Sequence, residues 1–90
     1  MARADALALQ ALLPLLRKLR DIEGLKETQP GIFQARRDAF IHFQDEGGML
    51  HADLKKAGGS GFDRYPLATP AEQRKLVDDA RLRASRLDDE

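Results

Sequence analysis

Length, composition and charge restrict the class of protein first. The chain has 90 residues, of which 42% are hydrophobic and 33% charged, so it can build one core and one domain spanning residues 1–90. Fifteen basic residues balance fifteen acidic ones, so the net charge is zero. The absence of cysteine excludes disulfide scaffolds, thiolate-bound metals and thiol catalysis. The sequence has no apolar run long enough to cross a bilayer and no cleavage site for a signal peptide, so we expect a cytoplasmic protein that does not bind membranes.

The N-terminal part of the chain predicts a helix over about 4–23. Large apolar residues recur there at intervals of three and four, at Leu9, Leu12, Leu13, Leu16, Leu19 and Ile22. Gly24 is the kind of residue that closes a helix. Pro14 lies inside this segment and removes one backbone hydrogen bond, so we expect a kink or a loosely attached first turn and a half.

Alternating polar and apolar residues predict an antiparallel sheet in the middle of the chain. Lys26–Gly31 is interpreted as a connector that ends in a Pro-Gly turn. The predicted strands span about 31–36, 39–45 and 49–55, and a fourth over 62–65 would lie at an edge because Pro66 has no amide proton to donate. The sheet therefore has three or four strands.

The hairpin turns set the expected register of these strands. An odd loop of Arg36, Arg37 and Asp38 would pair Phe33 with Ile41 and place Asp38 at positive φ. An even second loop would set His42 opposite His51.

A second helix is predicted over about 70–87. Thr69 and Glu72 form a capping box around Pro70, which is well suited to the first helical position. The apolar stripe of this helix consists of Leu76, Val77, Ala80, Ala84 and Leu87. A helix, three or four strands and a helix, joined by short connections, predict an α+β two-layer sandwich with both helices on one face of an antiparallel meander.

The leading functional hypothesis rests on the face of the sheet that the helices leave uncovered. The register expected above places a mixture of apolar and polar side chains there: Ile32, Gln34, Phe40, His42, Gln44, His51 and Asp53. Such a face is typical of a surface that meets another molecule. We therefore expect a non-enzymatic binding or adaptor protein that uses Gln34, Phe40, His42, His51 and Asp53, with a protein partner or a second copy of the chain as the ligand.

Nucleic-acid binding is the first alternative. Arg36 and Arg37, together with Arg81, Arg83 and Arg86 on the last helix, could follow a phosphate backbone. The neutral net charge disfavours this hypothesis because it removes the usual long-range attraction.

Metal binding is the second alternative, and enzyme activity is not expected. His42, His51 and Asp53 could bind zinc if they met on the open face, but no helix would cover them, so we expect no bound metal and no cofactor. Neither Ser60, in a glycine-rich loop, nor Ser85 has a rigid base beside it, so we predict no catalytic residues.

The order of the motifs resembles that of the small bacterial proteins of the MmcQ/YjbR type. The resemblance covers residues 28–87 in outline. It rests on Pro30-Gly31-Ile32-Phe33, Asp38-Ala39-Phe40-Ile41-His42-Phe43, Leu50-His51-Ala52-Asp53-Leu54-Lys55 and Leu76-Val77-Asp78-Asp79. The family carries a longer segment between the third strand and the last helix, which this chain lacks. The resemblance implies a fold, and a nucleic-acid role that is commonly presumed for the family, but no functional residue is carried over.

Overall fold

The computed structural model describes residues 2–3, 5–58 and 60–87, which form an α+β fold with the helices on one face of an antiparallel sheet. This confirms the predicted fold class. Within those residues the elements in chain order are β1 (Ala2–Arg3), α1 (Ala6–Gln10), α2 (Leu13–Arg20), β2 (Leu25–Gln29), β3 (Ile32–Ala35), β4 (Asp38–Glu46), β5 (Met49–Lys55), β6 (Phe62–Pro66) and α3 (Pro70–Leu87).

The N-terminal helix is divided in two, which corrects the prediction of one helix over 4–23. Asp5 caps α1 by accepting a hydrogen bond from the Ala8 amide at 2.8 Å, and the chain then turns before α2 begins. Pro14 lies in the first turn of α2, where a missing amide proton breaks no intrahelical bond. The predicted start at Ala4 lies outside the described residues, and the last helical residue is Arg20 rather than residue 23.

The sheet contains more strands than predicted. Strands β2 to β6 follow one another in space as an antiparallel meander, and β1 pairs with β4 beyond the start of β3. The segment interpreted as a connector forms the edge strand β2. Glu27 on this strand forms a bidentate ion pair with Arg20 at the end of α2, with Nε to Oε1 at 2.6 Å and Nη2 to Oε2 at 3.2 Å. An edge strand can be this polar because charged side chains keep its unpaired edge from pairing with another chain.

A bulge in the first hairpin corrects the predicted position of Phe40. The turn has two residues, Arg36 and Arg37, at φ values of 53° and 73°, so Asp38 is not the residue at positive φ. Phe33 pairs with Ile41 as expected, but Gln34 pairs with Ala39, and Phe40 is the extra residue between them. The bulge turns Phe40 to the same side as Ile41, and both are buried in the core beneath the helices.

The second hairpin has a different register from the one predicted. Gly47 and Gly48 form its two-residue turn, so the strands pair Glu46 with Met49 and are offset by two residues from the predicted alignment. His42 consequently lies opposite Asp53, and His51 lies opposite Gln44.

The C-terminal helix agrees with the prediction. The Thr69 hydroxyl accepts from the Glu72 amide at 3.2 Å, and the Glu72 carboxylate accepts from the Thr69 amide at 3.0 Å. The predicted apolar stripe of α3 faces the core, where it packs against the leucines of α1 and α2 and the inner face of the sheet. The helices thus cover one face of the sheet. No described helix packs on the opposite face, which we call the outer face.

Candidate functional site

The centre of the outer face is a row of hydrogen-bonded polar side chains on three neighbouring strands. Asp53 accepts from Gln44 Nε2 at 2.9 Å through Oδ2 and from Arg64 Nε at 3.4 Å through Oδ1. Arg64 also lies 3.8 Å from a carboxylate oxygen of Glu46. Because each partner is fixed by the next, this row presents a largely satisfied polar surface.

Two apolar areas flank this polar row. At one end Phe62, 39% exposed, packs its ring at a tilt of 38° against the His42 imidazole, with 4.8 Å between the ring centroids. At the other end Met49, 69% exposed, and Pro66 border an open pocket of about 480 Å³ that reaches His51. Exposed apolar areas beside polar side chains suit a surface that meets another macromolecule.

His51 is the unusual group on this face. Its side chain is only 6% exposed, and its Nε2 is buried without a hydrogen-bond partner among the described residues. Buried polar atoms nearly always have a partner, so an atom of this kind calls for an explanation. It lies in the wall of the pocket beside Met49 and Pro66.

The register separates the residues considered for a metal site. His42 and His51 do not face each other, and both Oδ atoms of Asp53 already accept hydrogen bonds. Among the residues described, no three His, Asp or Glu side chains come together in a way that could hold a metal ion.

The remaining residues predicted to bind a partner are divided between the outer face and the end of the sheet. Gln34 lies on the outer face as the partner of Ala39, whereas Phe40, 2% exposed, lies on the helix side. Arg36 and Arg37 form the exposed turn at the end of the first hairpin. The outer face therefore keeps four of the predicted residues: Gln34, His42, His51 and Asp53.

A second candidate site lies on the helix side, at the end of the sheet where β5 finishes. It is an open pocket of about 440 Å³, which we call the basic pocket. Its lining includes four basic residues and an apolar wall: Lys55, Lys56, Arg83, Arg86, Phe40 and Leu87. The sequence indicated separate basic clusters at Lys55-Lys56 and along α3, but only the fold brings them together. Arg81, by contrast, lies elsewhere on α3, beside Asp21 and Glu23.

A hydrogen-bonded network fixes Arg83 at this pocket. Arg83 Nη1 donates to the Lys55 carbonyl at 2.9 Å, and its Nη2 lies 3.1 Å from Asp63 Oδ2 and 3.3 Å from the Tyr65 hydroxyl. The Tyr65 hydroxyl in turn donates to Asp79 Oδ2 at 2.6 Å.

The same network shifts the pKa values of Tyr65 and Asp79. Burial, followed by the hydrogen bond to Asp79, raises the pKa of Tyr65 to about 12. The Tyr65 hydroxyl, followed by the charge of Lys75, holds the pKa of Asp79 below its ordinary value.

Comparisons with known proteins identify no relative of this chain, so its function must be inferred from the geometry described above. In the described part of the chain no helix is long and apolar enough to span a membrane. The MmcQ/YjbR resemblance stays a prediction that these comparisons do not test. No protein-family model matches the chain, and neither the curated proteins nor the solved structures contain a significant match to it.

Proposed function

We propose that this chain is a cytoplasmic, non-enzymatic binding protein whose outer face docks a second protein chain. The observation that carries the proposal is the pocket at the end of this face. There the buried Nε2 of His51 lacks a partner next to the exposed Met49 side chain. A docked chain that fills the pocket would bury the Met49 side chain, and a rotation of the imidazole that exposes Nε2 would let that chain supply the missing hydrogen bond.

The contacts of the serine and histidine side chains that could support catalysis favour a binding function over an enzymatic one. The Ser85 hydroxyl donates to the Leu82 carbonyl at 2.7 Å, and Ser60 is exposed in the loop after β5. His42 is packed against Phe62, and the carboxylate opposite it is held by Gln44 and Arg64. A nucleophile and a base within hydrogen-bonding reach of each other are the minimum for covalent catalysis, and these groups do not supply that pair.

A capture experiment with matched surface variants tests this proposal. Met49→Ser and Phe62→Ser remove the two apolar areas of the outer face, whereas Leu82→Ser removes a 49% exposed leucine from α3 on the other side of the molecule. We expect the first two variants to lose a partner that immobilised wild-type protein captures from a cell extract, and Leu82→Ser to keep it. Equal capture by all four proteins, or loss with Leu82→Ser alone, would rule out the outer face.

Light scattering identifies whether the partner is another copy of this chain. A second copy as partner predicts a dimer for the wild type and for Leu82→Ser, and a monomer for Met49→Ser and Phe62→Ser. A different protein as partner predicts monomers throughout, combined with the differential capture described above.

A further inference from the structure

We propose that the basic pocket binds a small phosphorylated molecule and holds its phosphate group between the last turn of α3 and the loop after β5. This site is separate from the outer face, since it opens on the helix side of the sheet beside Phe40. The two binding functions can therefore fail independently.

The charge around the pocket suits a phosphate dianion. Among the residues that the structure describes, four basic residues and no acidic residue line it. Two neighbouring carboxylates offset part of that charge. Asp38 lies 3.7 Å from the Lys55 ammonium, and Asp63 lies 3.7 Å from Lys56 and 3.1 Å from Arg83. Among the described residues the basic side chains at this pocket outnumber the neighbouring carboxylates, and the excess of positive charge suits an anion such as a phosphate monoester.

The geometry prepares the pocket for an anion before any ligand arrives. The contacts of Arg83 to the Lys55 carbonyl and to Asp63 fix its guanidinium, so little side-chain freedom remains to be lost on binding. Arg86 is exposed in the last turn of α3, and among the described residues no hydrogen bond or ion pair occupies it. A planar guanidinium without a partner can take two phosphate oxygens at once.

The shape of the pocket favours a small molecule over a nucleic acid. The basic residues line a single hollow of about 440 Å³, which is within the range of small-molecule sites, and Phe40 and Leu87 supply an apolar wall for the rest of the ligand. Binding along a nucleic-acid backbone needs a row of cations that spans several phosphates. The next arginine of α3, Arg81, lies outside the pocket among acidic neighbours.

The test is an NMR titration of the whole chain with pyrophosphate, with a nucleoside 5′-monophosphate and with a short mixed oligonucleotide. The variants are Lys56→Gln and Arg86→Gln, and the control is Arg74→Gln, which removes the same charge about 18 Å along α3. All four proteins should have the same melting temperature within a few degrees, because the replaced side chains are exposed.

We expect saturable binding of both small phosphates, with the largest amide shifts at Gly58 and Arg86. Affinity should fall roughly tenfold in each pocket variant and less than about twofold in Arg74→Gln. Absence of saturable binding, equal affinity in all four proteins, or binding of the oligonucleotide alone would overturn the proposal. Capture by the outer face should be unchanged in Arg86→Gln, so failure of this site leaves the docking proposal intact.

Discussion

Replacing Phe40 tests the bulge in β4, which turns this side chain away from the outer face and into the core. Phe40 is 2% exposed and belongs to the core cluster, whereas Phe62 is 39% exposed on the outer face. Truncating a buried phenylalanine to alanine typically costs about 3–5 kcal/mol. Phe40 also forms a wall of the open basic pocket, so water can enter the space that its ring leaves, which places the expected loss near the lower limit of about 3 kcal/mol.

A loss of that size is a large part of the stability of a chain of this length. Domains of 90 residues have free energies of unfolding of roughly 5–13 kcal/mol. Phe40→Ala should therefore lower the melting temperature by more than about 10 °C, with a matching fall in the urea midpoint. Phe40→Leu should cost less than about 1.5 kcal/mol because it keeps most of the buried volume.

Phe62→Ala is the matched control, since the same atoms are removed from the outer face. We expect it to lose at most about 1 kcal/mol, because Phe62 is already 39% exposed in the folded protein. Both variants are measured by urea unfolding followed by circular dichroism. Equal losses in Phe40→Ala and Phe62→Ala would refute the bulge and return Phe40 to the outer face.

Four further predictions concern three local contacts. Gly31→Ala should destabilise the fold by about 1–3 kcal/mol in urea unfolding, because φ is +76° and a new Cβ would lie 3.1 Å from Leu9 Cδ1. Gly47→Ala is the control, since φ is +60° with open space around it, and it should cost only about 1 kcal/mol. Equal costs for the two variants would contradict the close packing at Gly31. Absorbance titration of the single tyrosine should give a midpoint near 12, and Asp79→Ala should lower it while burial keeps it above 10; an unchanged midpoint would exclude the Tyr65 to Asp79 hydrogen bond. Since the pKa of Tyr65 is raised and that of Asp79 lowered, this pair should stabilise the fold between about pH 4 and pH 10 and lose that effect as pH rises from 10 to 12 or falls further into the acid range. Thr69→Ala should cost about 1 kcal/mol by removing the cap of α3, and no change in the melting temperature would show that the cap does not contribute.

Local signals were sufficient to predict α3 and most of the sheet. The capping box acts within four residues, and the apolar stripe needs only one helical period, so neither depends on distant parts of the chain. The effect of Pro14 was predicted only in kind. Because proline is tolerated at the start of a helix, the predicted single helix becomes two, and Pro14 lies in the first turn of the second. The turn between the two helices changes which leucine is buried: Leu15 lies in the core in place of the predicted Leu13.

The errors in the sheet come from features that no local pattern specifies. Strand β2 is polar, so its sequence does not predict a strand. One of the contacts that holds it, the ion pair between Glu27 and Arg20, appears only in the folded protein. The bulge at Phe40 and the two-residue offset of the second hairpin depend on how whole strands pair. These two differences move Phe40 to the core and separate His42 from His51. The same long-range pairing creates the basic pocket, since Lys56 and Arg86 are thirty residues apart in the sequence.

Photocrosslinking tests the docking role of the outer face most directly. A photoreactive phenylalanine analogue replaces Phe62 on the outer face or Leu82 on α3, both of which are partly exposed, and the protein is irradiated in a cell extract. We expect one discrete adduct from position 62 and none from position 82, and the mass of the adduct shows whether the partner is a second copy or another protein. The same adduct from both positions, or one from position 82 alone, would contradict a binding function of the outer face.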